Sequence, residues 1–273
     1  MKRQQIGKVI FAGAGPGDPD LITIKAVNFL KIADVVLTDR LVSEEILTKY
    51  VSAEAEIIYV GKQCSKGIST PQQTINELIV EYALRRKLVV RLKGGDVSVF
   101  SNIMDELETV VKNNIPYEII PGVTAALGAA AYAGIPLTAR GYSTAVRFLT
   151  YYKADIIKEG YWQELAATDD TLVFYMSSET VAIVVEKLIA HKISKDKLLA
   201  VIEQATTPFQ NVQTSSLYEF IKNKQETFVS PSLVIIGKVV GLQEQFGWIG
   251  NNNSREYYFK PVEEVAGKIK LSA

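Results

Sequence analysis

The chain has 273 residues, enough for one large or two ordinary domains at roughly one domain per ~150 residues. Thirty basic side chains offset thirty acidic ones, which argues against a dedicated nucleic-acid binder, and 48% apolar against 22% charged residues is the composition of a well-cored globule. A single Cys64 excludes an intramolecular disulfide or a cysteine-ligated cluster, and a single His191 excludes HExxH zinc sites and any site built from several histidines.

Short β-rich apolar runs alternate with longer helical patterns, the rhythm of a mostly parallel α/β sheet. Lys8 to Ala12 reads as a buried strand, closed by Gly13-Ala14-Gly15-Pro16-Gly17. Asp18 is placed to cap a helix with Pro19 at its first position, and Leu21, Ile24, Val27 and Leu30 give that helix one apolar stripe. Val35 to Asp39 is the next strand, Ser43 caps a short helix, and Glu56 to Val60 runs into Gly61-Lys62. Thr70-Pro71 starts a long helix reaching Lys87, and the strand Leu88 to Lys93 leads into Gly94-Gly95-Asp96. A helix from Asn102 and a strand from Tyr117 to Ile120 complete the first half. Pro121-Gly122-Val123-Thr124 then opens an alanine-rich helix, Ala125 to Ala133, whose small residues suit close packing at a domain junction. Strands follow near 145–150, 171–176, 198–203, 210–215 and 232–237, and the polar alternation of 210–215 suits an antiparallel partner. The run Gly250-Asn251-Asn252-Asn253-Ser254 reads as a linker. The expected division is an N-terminal α/β domain over 1–120, a C-terminal α/β domain over 121–250 and a tail over 251–273. With no run of about eighteen apolar residues and no signal-like start, a cytoplasmic chain without a membrane or nucleic-acid partner is expected.

Gly13-x-Gly15-x-Gly17 after a first strand invites a nucleotide-binding reading, strengthened by Asp39 at the end of the second strand, where a dinucleotide fold places its ribose-binding acid. The pattern fails in detail. Position 18 is Asp18 instead of a third glycine, and Pro16 removes an N–H from the loop that would cradle a pyrophosphate. The alternative is a tight strand-to-helix turn. Gly94-Gly95-Asp96 is a second glycine turn at a strand end, where a carboxylate suits ribose hydroxyls or an ammonium, or again a plain turn. Together with Asp39 and Lys62, also at strand ends, these turns make a constellation worth a site hypothesis.

In order, GAGPGD at 13–18, LITIKA at 21–26, ADVVLTDRLVS at 33–43, VGK at 60–62, PQQTIN at 71–76 and VVRLKGGD at 89–96 resemble the tetrapyrrole methylase family. IPGVTAALGAAAYAGIPLT at 120–138, DTLVFYM at 170–176 and PSLVIIGKVV at 231–240 continue the series. The resemblance implies two α/β domains with S-adenosylmethionine in the cleft between them, S-adenosylhomocysteine as by-product, no metal, and a homodimer. The motifs are most similar to those of members that methylate carbons 2 and 7 of uroporphyrinogen III to give precorrin-2 for sirohaem and cobalamin. The family's cofactor positions carry over onto Pro16, Gly94, Gly95, Asp96, Val99, Thr124, Ala125 and Met176, and onto Ala205, where the family has glycine. Asp39 matches the proposed proton acceptor and Lys62 the proposed donor.

Those roles are chemically reasonable. A pyrrole carbon attacking a sulfonium methyl needs alignment and desolvation, and the alkylated ring must then lose a proton to a nearby base. The substrate's carboxylates call for cations, for which Arg40, Lys62, Lys66, Arg140, Arg147 and Lys153 are candidates, with solvated surface charge as the alternative for each. Arg91 and Lys93, inside an apolar strand, point instead to burial or pairing. The family's PFVFGRGGEE is replaced by Val97-Ser98-Val99-Phe100-Ser101-Asn102-Ile103-Met104-Asp105-Glu106, its VTGH by Leu149-Thr150-Tyr151-Tyr152, and the glycine after FYM by Ser177. These departures leave open a methylase of a later corrin precursor, or a cofactor-binding member without activity.

Overall fold

A computed structural model describes residues 6–63, 68–152, 156–177, 179–223, 227–252 and 254–259, without the side chains at 62, 63, 68 and 69. The described residues fall into two compact units, one reaching Thr124 and including Phe259, the other Ala125–Tyr258.

The first unit is a five-stranded parallel sheet. Its strands are β1 (Lys8–Gly13), β2 (Val35–Thr38), β3 (Glu56–Tyr59), β6 (Leu88–Lys93) and β7 (Tyr117–Ile120), arranged in the order β3-β2-β6-β1-β7. Residues 62–63 and 68–69 form a two-stranded hairpin, β4 and β5. Successive side chains of a strand point to opposite faces, and here both faces are covered. Ile10, Ala12, Val36, Val90 and Leu92 pack against α1 (Ile24–Leu30) and α2 (Glu44–Tyr50). Val9, Phe11, Val35, Leu37 and Val89 pack against Ile75, Ile79 and Ala83 of α3 (Gln72–Leu84) and Val110 of α4 (Met104–Lys112). That two-sided burial is why these strands read as unbroken apolar runs.

The first helix differs from its sequence pattern. Asp18 does accept from the N–H of Asp20, but the turn it caps is a 3₁₀ turn, Pro19–Leu21. The α-helix starts at Ile24 under a second cap, Thr23, whose hydroxyl accepts from Ala26 N–H at 3.3 Å. The restart rotates the apolar stripe, so Ile22, Ala26 and Leu30 are buried while Ile24 is 80% exposed. Helix α3 stops at Leu84, before a left-handed Arg86, and α4 begins at Met104 after a left-handed Asn102.

The second unit carries β8 (Val146–Thr150), β9 (Thr171–Tyr175), β10 (Leu198–Glu203), β11 (Asn211–Ser216) and β12 (Ser232–Gly237), ordered β11-β10-β12-β9-β8. Strand β11 is antiparallel to β10, as its polar alternation suggests. Strand β12 is antiparallel to both β10 and β9, which its continuous apolar run does not reveal. One face packs on α6 (Glu159–Ala167), α7 (Val181–Ala190) and α8 (Leu217–Lys222), centred on Trp162, which stacks on Phe174 at 6.4 Å and meets Tyr151 edge-on at 5.3 Å. Helix α5 (Ala125–Ala133) also belongs to this unit, as do a 3₁₀ turn over Lys238–Leu242 and α9 (Gln243–Phe246). Among the described residues no helix is long and apolar enough to cross a membrane.

Candidate active site

Because its strands are all parallel, the first sheet has its carboxyl ends along one edge, and that edge collects Pro16, Asp39, Lys62, Gly94, Gly95 and Asp96. Ligands of open α/β sheets bind at such edges. Lys62 opens the short strand β4, and its side chain lies outside the described residues.

The two glycine turns form one structure. Gly95 N–H donates to Gly15 O at 2.7 Å and Gly15 N–H returns to Gly95 O at 3.1 Å, with both residues left-handed at φ 69° and 81°. A Cβ on Gly13 would fall 2.6 Å from Gly95 O, and one on Gly122 2.4 Å from the same oxygen. Three turns therefore meet at a separation that no side chain permits. Asp96 fastens the junction, its Oδ1 accepting from Ser98 N–H at 2.8 Å and its Oδ2 from Gly122 N–H at 2.9 Å. Burial works to raise the Asp96 carboxyl, but hydrogen bonds from the Ser98 hydroxyl and these N–H groups outweigh it and hold the group below its ordinary range. Gly95 and Asp96 are thus fully engaged with their own chain, whereas Pro16 is half-buried on the loop between Gly15 and Gly17.

Beside this junction, Asp39, Gly94 and Val99 line one cavity of about 200 Å³ together with Leu41, Phe100 and Asn102. Its floor is charged. Arg91, 2% exposed, donates from Nη2 to Asp39 Oδ1 at 2.6 Å, from Nε to Glu106 Oε1 at 3.1 Å, and from Nη1 to Leu37 O at 3.2 Å. Lys93 donates to both oxygens of Glu106 at 3.2 and 3.3 Å. The burial and pairing expected of Arg91 and Lys93 are both present. Burial and the neighbouring Arg91 push the Lys93 ammonium below its usual range. Asp39 is anchored through one oxygen. The altered segment supplies the wall, with Phe100 and Asn102 left-handed at φ 53° and 51°. Those are values glycine adopts freely and these residues adopt at a cost.

In the second unit, Ala125 opens α5, and the next residue, Ala126, donates its N–H to Tyr175 Oη at 3.0 Å. Met176 follows β9, left-handed at φ 53° and 52% exposed, and Ala205 follows β10, buried between left-handed Gln204 and Thr206. Ser177, where the family has glycine, is buried and lies 2.9 Å from Tyr175 O and 3.3 Å from Tyr151 N, tying the ends of β8 and β9. Thr124, the last residue of the first unit, is buried.

Of the other candidate cations, Arg147 is committed to Glu164 at 2.5 Å and Asp170 at 2.6 Å, and Lys66 and Lys153 lie outside the described residues. Arg40 Nε is buried without a hydrogen-bond partner among the described residues, as are Thr38 Oγ1 and Thr150 Oγ1. All three atoms sit at the carboxyl ends of β2 and β8. Buried polar groups are nearly always satisfied, so the unused capacity of Thr38 and Arg40 fits a polar ligand at the carboxyl edge of the first sheet. Among the described residues no group of three or more His, Cys, Asp or Glu side chains could hold a metal ion. Glu106 lines the cavity and is a residue the sequence pattern does not single out. An acid in the first turn of an amphipathic helix reads as a surface residue, and only the two cations inside β6 announce that a buried carboxylate must exist somewhere.

The family model for tetrapyrrole (corrin/porphyrin) methylases matches residues 8–221. The chain belongs to the tetrapyrrole methylase family. Within that family it is 43% identical over 247 residues to siroheme synthase of Vesicomyosocius okutanii subsp. Calyptogena okutanii (strain HA), covering 89% of this chain and 52% of that protein. The chain thus spans about half the length of the curated relatives it matches. A crystal structure of uroporphyrin-III C-methyltransferase from Thermus thermophilus is similar at TM-score 0.74 and 32% identity, covering 89% of this chain and 98% of that one. The same protein complexed with S-adenosyl homocysteine is similar at TM-score 0.70, also at 32% identity, over 86% of this chain and 93% of that one. Cobalt precorrin-4 methyltransferase, a cobalamin biosynthetic enzyme, is similar at TM-score 0.75 and 26% identity, over 88% and 98% of the two chains.

Proposed function

We propose that this chain is an S-adenosylmethionine-dependent methyltransferase that converts uroporphyrinogen III to precorrin-2 by methylating carbons 2 and 7. The observation that carries the reading is Asp39, anchored through one oxygen by Arg91 on the edge that also holds the glycine turns. The methyl donor supplies an electrophilic methyl on a sulfonium. In this reading Pro16, Gly94, Gly95, Asp96, Val99, Thr124, Ala125, Met176 and Ala205 hold it, Gly95 and Asp96 by fixing the backbone of their turn. Asp39 takes the proton that the alkylated macrocycle must shed, its geometry set by a guanidinium that cannot itself act as a base at neutral pH. Lys62 gives a proton or pairs with a substrate carboxylate. The chain acts as a homodimer in the cytoplasm, and its product serves sirohaem or cobalamin synthesis.

Anaerobic incubation with uroporphyrinogen III and S-adenosylmethionine, followed by oxidation and mass spectrometry, tests this directly. Gain of two methyl groups is expected. No methyl gain, with S-adenosylhomocysteine still bound, would defeat the substrate assignment. It would favour methylation of a later corrin precursor, a reading that the replaced segment 97–106 and the likeness to a precorrin-4 methyltransferase keep open.

A further inference from the structure

After β10 the chain turns through residues 204–210 before re-entering the sheet as β11. This turn is unusual in having left-handed residues on both sides of Ala205, Gln204 at φ 44° and Thr206 at φ 66°. A backbone of that kind persists only when its surroundings over-determine it. Part of the support is internal, with Thr206 N–H donating to Gln210 Oε1 at 2.9 Å and Thr207 Oγ1 to Gln204 O at 2.7 Å. Gln204 N–H donates to Pro231 O at 2.8 Å and Gln210 Nε2 to Tyr132 O at 3.2 Å, and further support comes from residues 251–252 and 254–258.

Gln204 is 1% exposed, and both ends of its carboxamide are spent on that segment. Its Nε2 donates to Glu256 O at 2.8 Å and its Oε1 accepts from Tyr258 N–H at 2.7 Å. Asn252 donates its backbone N–H to Gln210 O at 3.0 Å and its Nδ2 to Pro208 O at 2.7 Å. Asn251 brackets Val212, its Oδ1 accepting from the Val212 N–H at 2.8 Å and its Nδ2 donating to the Val212 carbonyl at 2.9 Å, which closes the open edge of β11. The Phe209 and Tyr258 rings meet at 6.4 Å. Asn251 and Asn252 are therefore fastenings rather than parts of the linker their composition suggests, and they lie outside residues 8–221, the span of the family match.

We infer that residues 251–252 and 254–258 are a strap that holds turn 204–210 in its ligand-binding shape, making Gln204, Asn251 and Asn252 positioning residues for the methyl donor. The inference rests on the assignment of Ala205 as a cofactor contact. With the strap released, Gln204 would keep a buried carboxamide without partners and the left-handed turn would relax. Apparent affinity then falls in proportion to the fraction of molecules still in the competent shape.

The test uses the full chain with Asn251→Ala and Asn252→Ala combined, titrated with S-adenosylhomocysteine, alongside hydrogen exchange of amides 204–212. A tenth of the population left competent would raise Kd by about tenfold. Exchange should quicken across the turn, and KM for the methyl donor should rise with kcat changed by less than about twofold. Faster exchange with unchanged affinity would make the strap merely structural, and unchanged exchange would show that it does not hold the turn; either overturns the inference. Should the double variant fail to fold, Asn252→Asp replaces the donation to Pro208 O by a carboxylate oxygen facing that carbonyl, and is read by the same two measurements. A wild-type chain that binds no S-adenosylhomocysteine would instead remove the cofactor assignment itself, and the strap's role in it, an outcome the titration shows before any variant is made.

Discussion

Replacing Glu106 by glutamine changes one atom and tests whether the floor of the cavity is a balanced charge cluster. The wild-type cluster pairs Arg91 and Lys93 with Asp39 and Glu106, so its formal charges cancel. Glu106 is 1% exposed and receives three hydrogen bonds at 3.1, 3.2 and 3.3 Å from two cations that are themselves buried. Glutamine can still accept from Arg91, but its amide nitrogen would turn a donor toward the Lys93 ammonium and leave the cluster with a net positive charge. Removing one partner of a buried ion pair costs about 3–5 kcal/mol, because the other charge stays behind. That corresponds to a fall in melting temperature of roughly 6–20 °C for a chain of this size. Urea unfolding at pH 7 is the assay. The pH dependence supplies a second arm. Lys93 already binds its proton less tightly when folded than when unfolded, through burial first and Arg91 second. Between the lowered folded value and the ordinary unfolded one, the unfolded chain holds more protons, so stability rises with pH. Without Glu106 that window widens, and the deficit of the variant should shrink from pH 7 toward pH 10. A loss under about 1 kcal/mol, or a deficit that does not change with pH, would refute the account.

Asp39→Asn should lower turnover by roughly a hundredfold or more while leaving S-adenosylhomocysteine affinity within about twofold, as single-turnover kinetics and calorimetry can establish. Gly122→Ala forces a methyl to within 2.4 Å of Gly95 O, and its urea midpoint should report a loss of about 2–3 kcal/mol. Asp96, whose folded carboxyl is held low, contributes stability that is present above the unfolded value near ~3.9 and is lost as pH falls through the folded one. Asp96→Asn should therefore be less stable than wild type at pH 7 and converge with it toward pH 3; parallel midpoint curves would contradict this. Trp162→Ala should destabilise by about 3–5 kcal/mol, visible as a lower thermal midpoint, since it empties the centre of the second core.

Candidate residues beside a recognisable strand are legible in the sequence. Gly94, Gly95 and Asp96 follow a strand whose apolar run is unmistakable, and Arg91 and Lys93 stand out within it as charges that need partners. What escaped was non-local or direction-blind. Glu106 lies on a helix separated from β6 by an irregular loop, and nothing in its neighbourhood distinguishes it from the exposed Asp105 and Glu108. Strand β12 reads the same whether parallel or antiparallel, because both of its faces are buried and no alternation survives. The helix after Gly17 was misphased because Asp18-Pro19 is a strong start signal, and a second one at Thr23 resets the turn a few residues later. Asn251 and Asn252 have the composition of a linker, and only their two-way bonds to backbone show otherwise.

The order β3-β2-β6-β1-β7 has a consequence for how the first unit is built. Strands β1 and β2 are consecutive in the chain yet never pair; each pairs with β6, which lies between them, in registers such as Val9 with Val89 and Val36 with Val90. While a nascent chain is shorter than about ninety residues, strands β1 and β2 share no ladder, and their neighbourhoods are linked by bonds outside the sheet, such as Ser52 N–H to Leu30 O and Lys49 Nζ to Asp20 Oδ1. Insertion of β6 joins them and, in the same event, delivers Arg91, Lys93 and the Gly94-Gly95 turn. Closing such long-range pairings is slow compared with local helix formation. Insertion of β6 therefore brings the glycine turns, Asp39 and the buried cations together in one step, with β7 still to pair with β1 and Gly122 still to reach Asp96 before the first unit is complete.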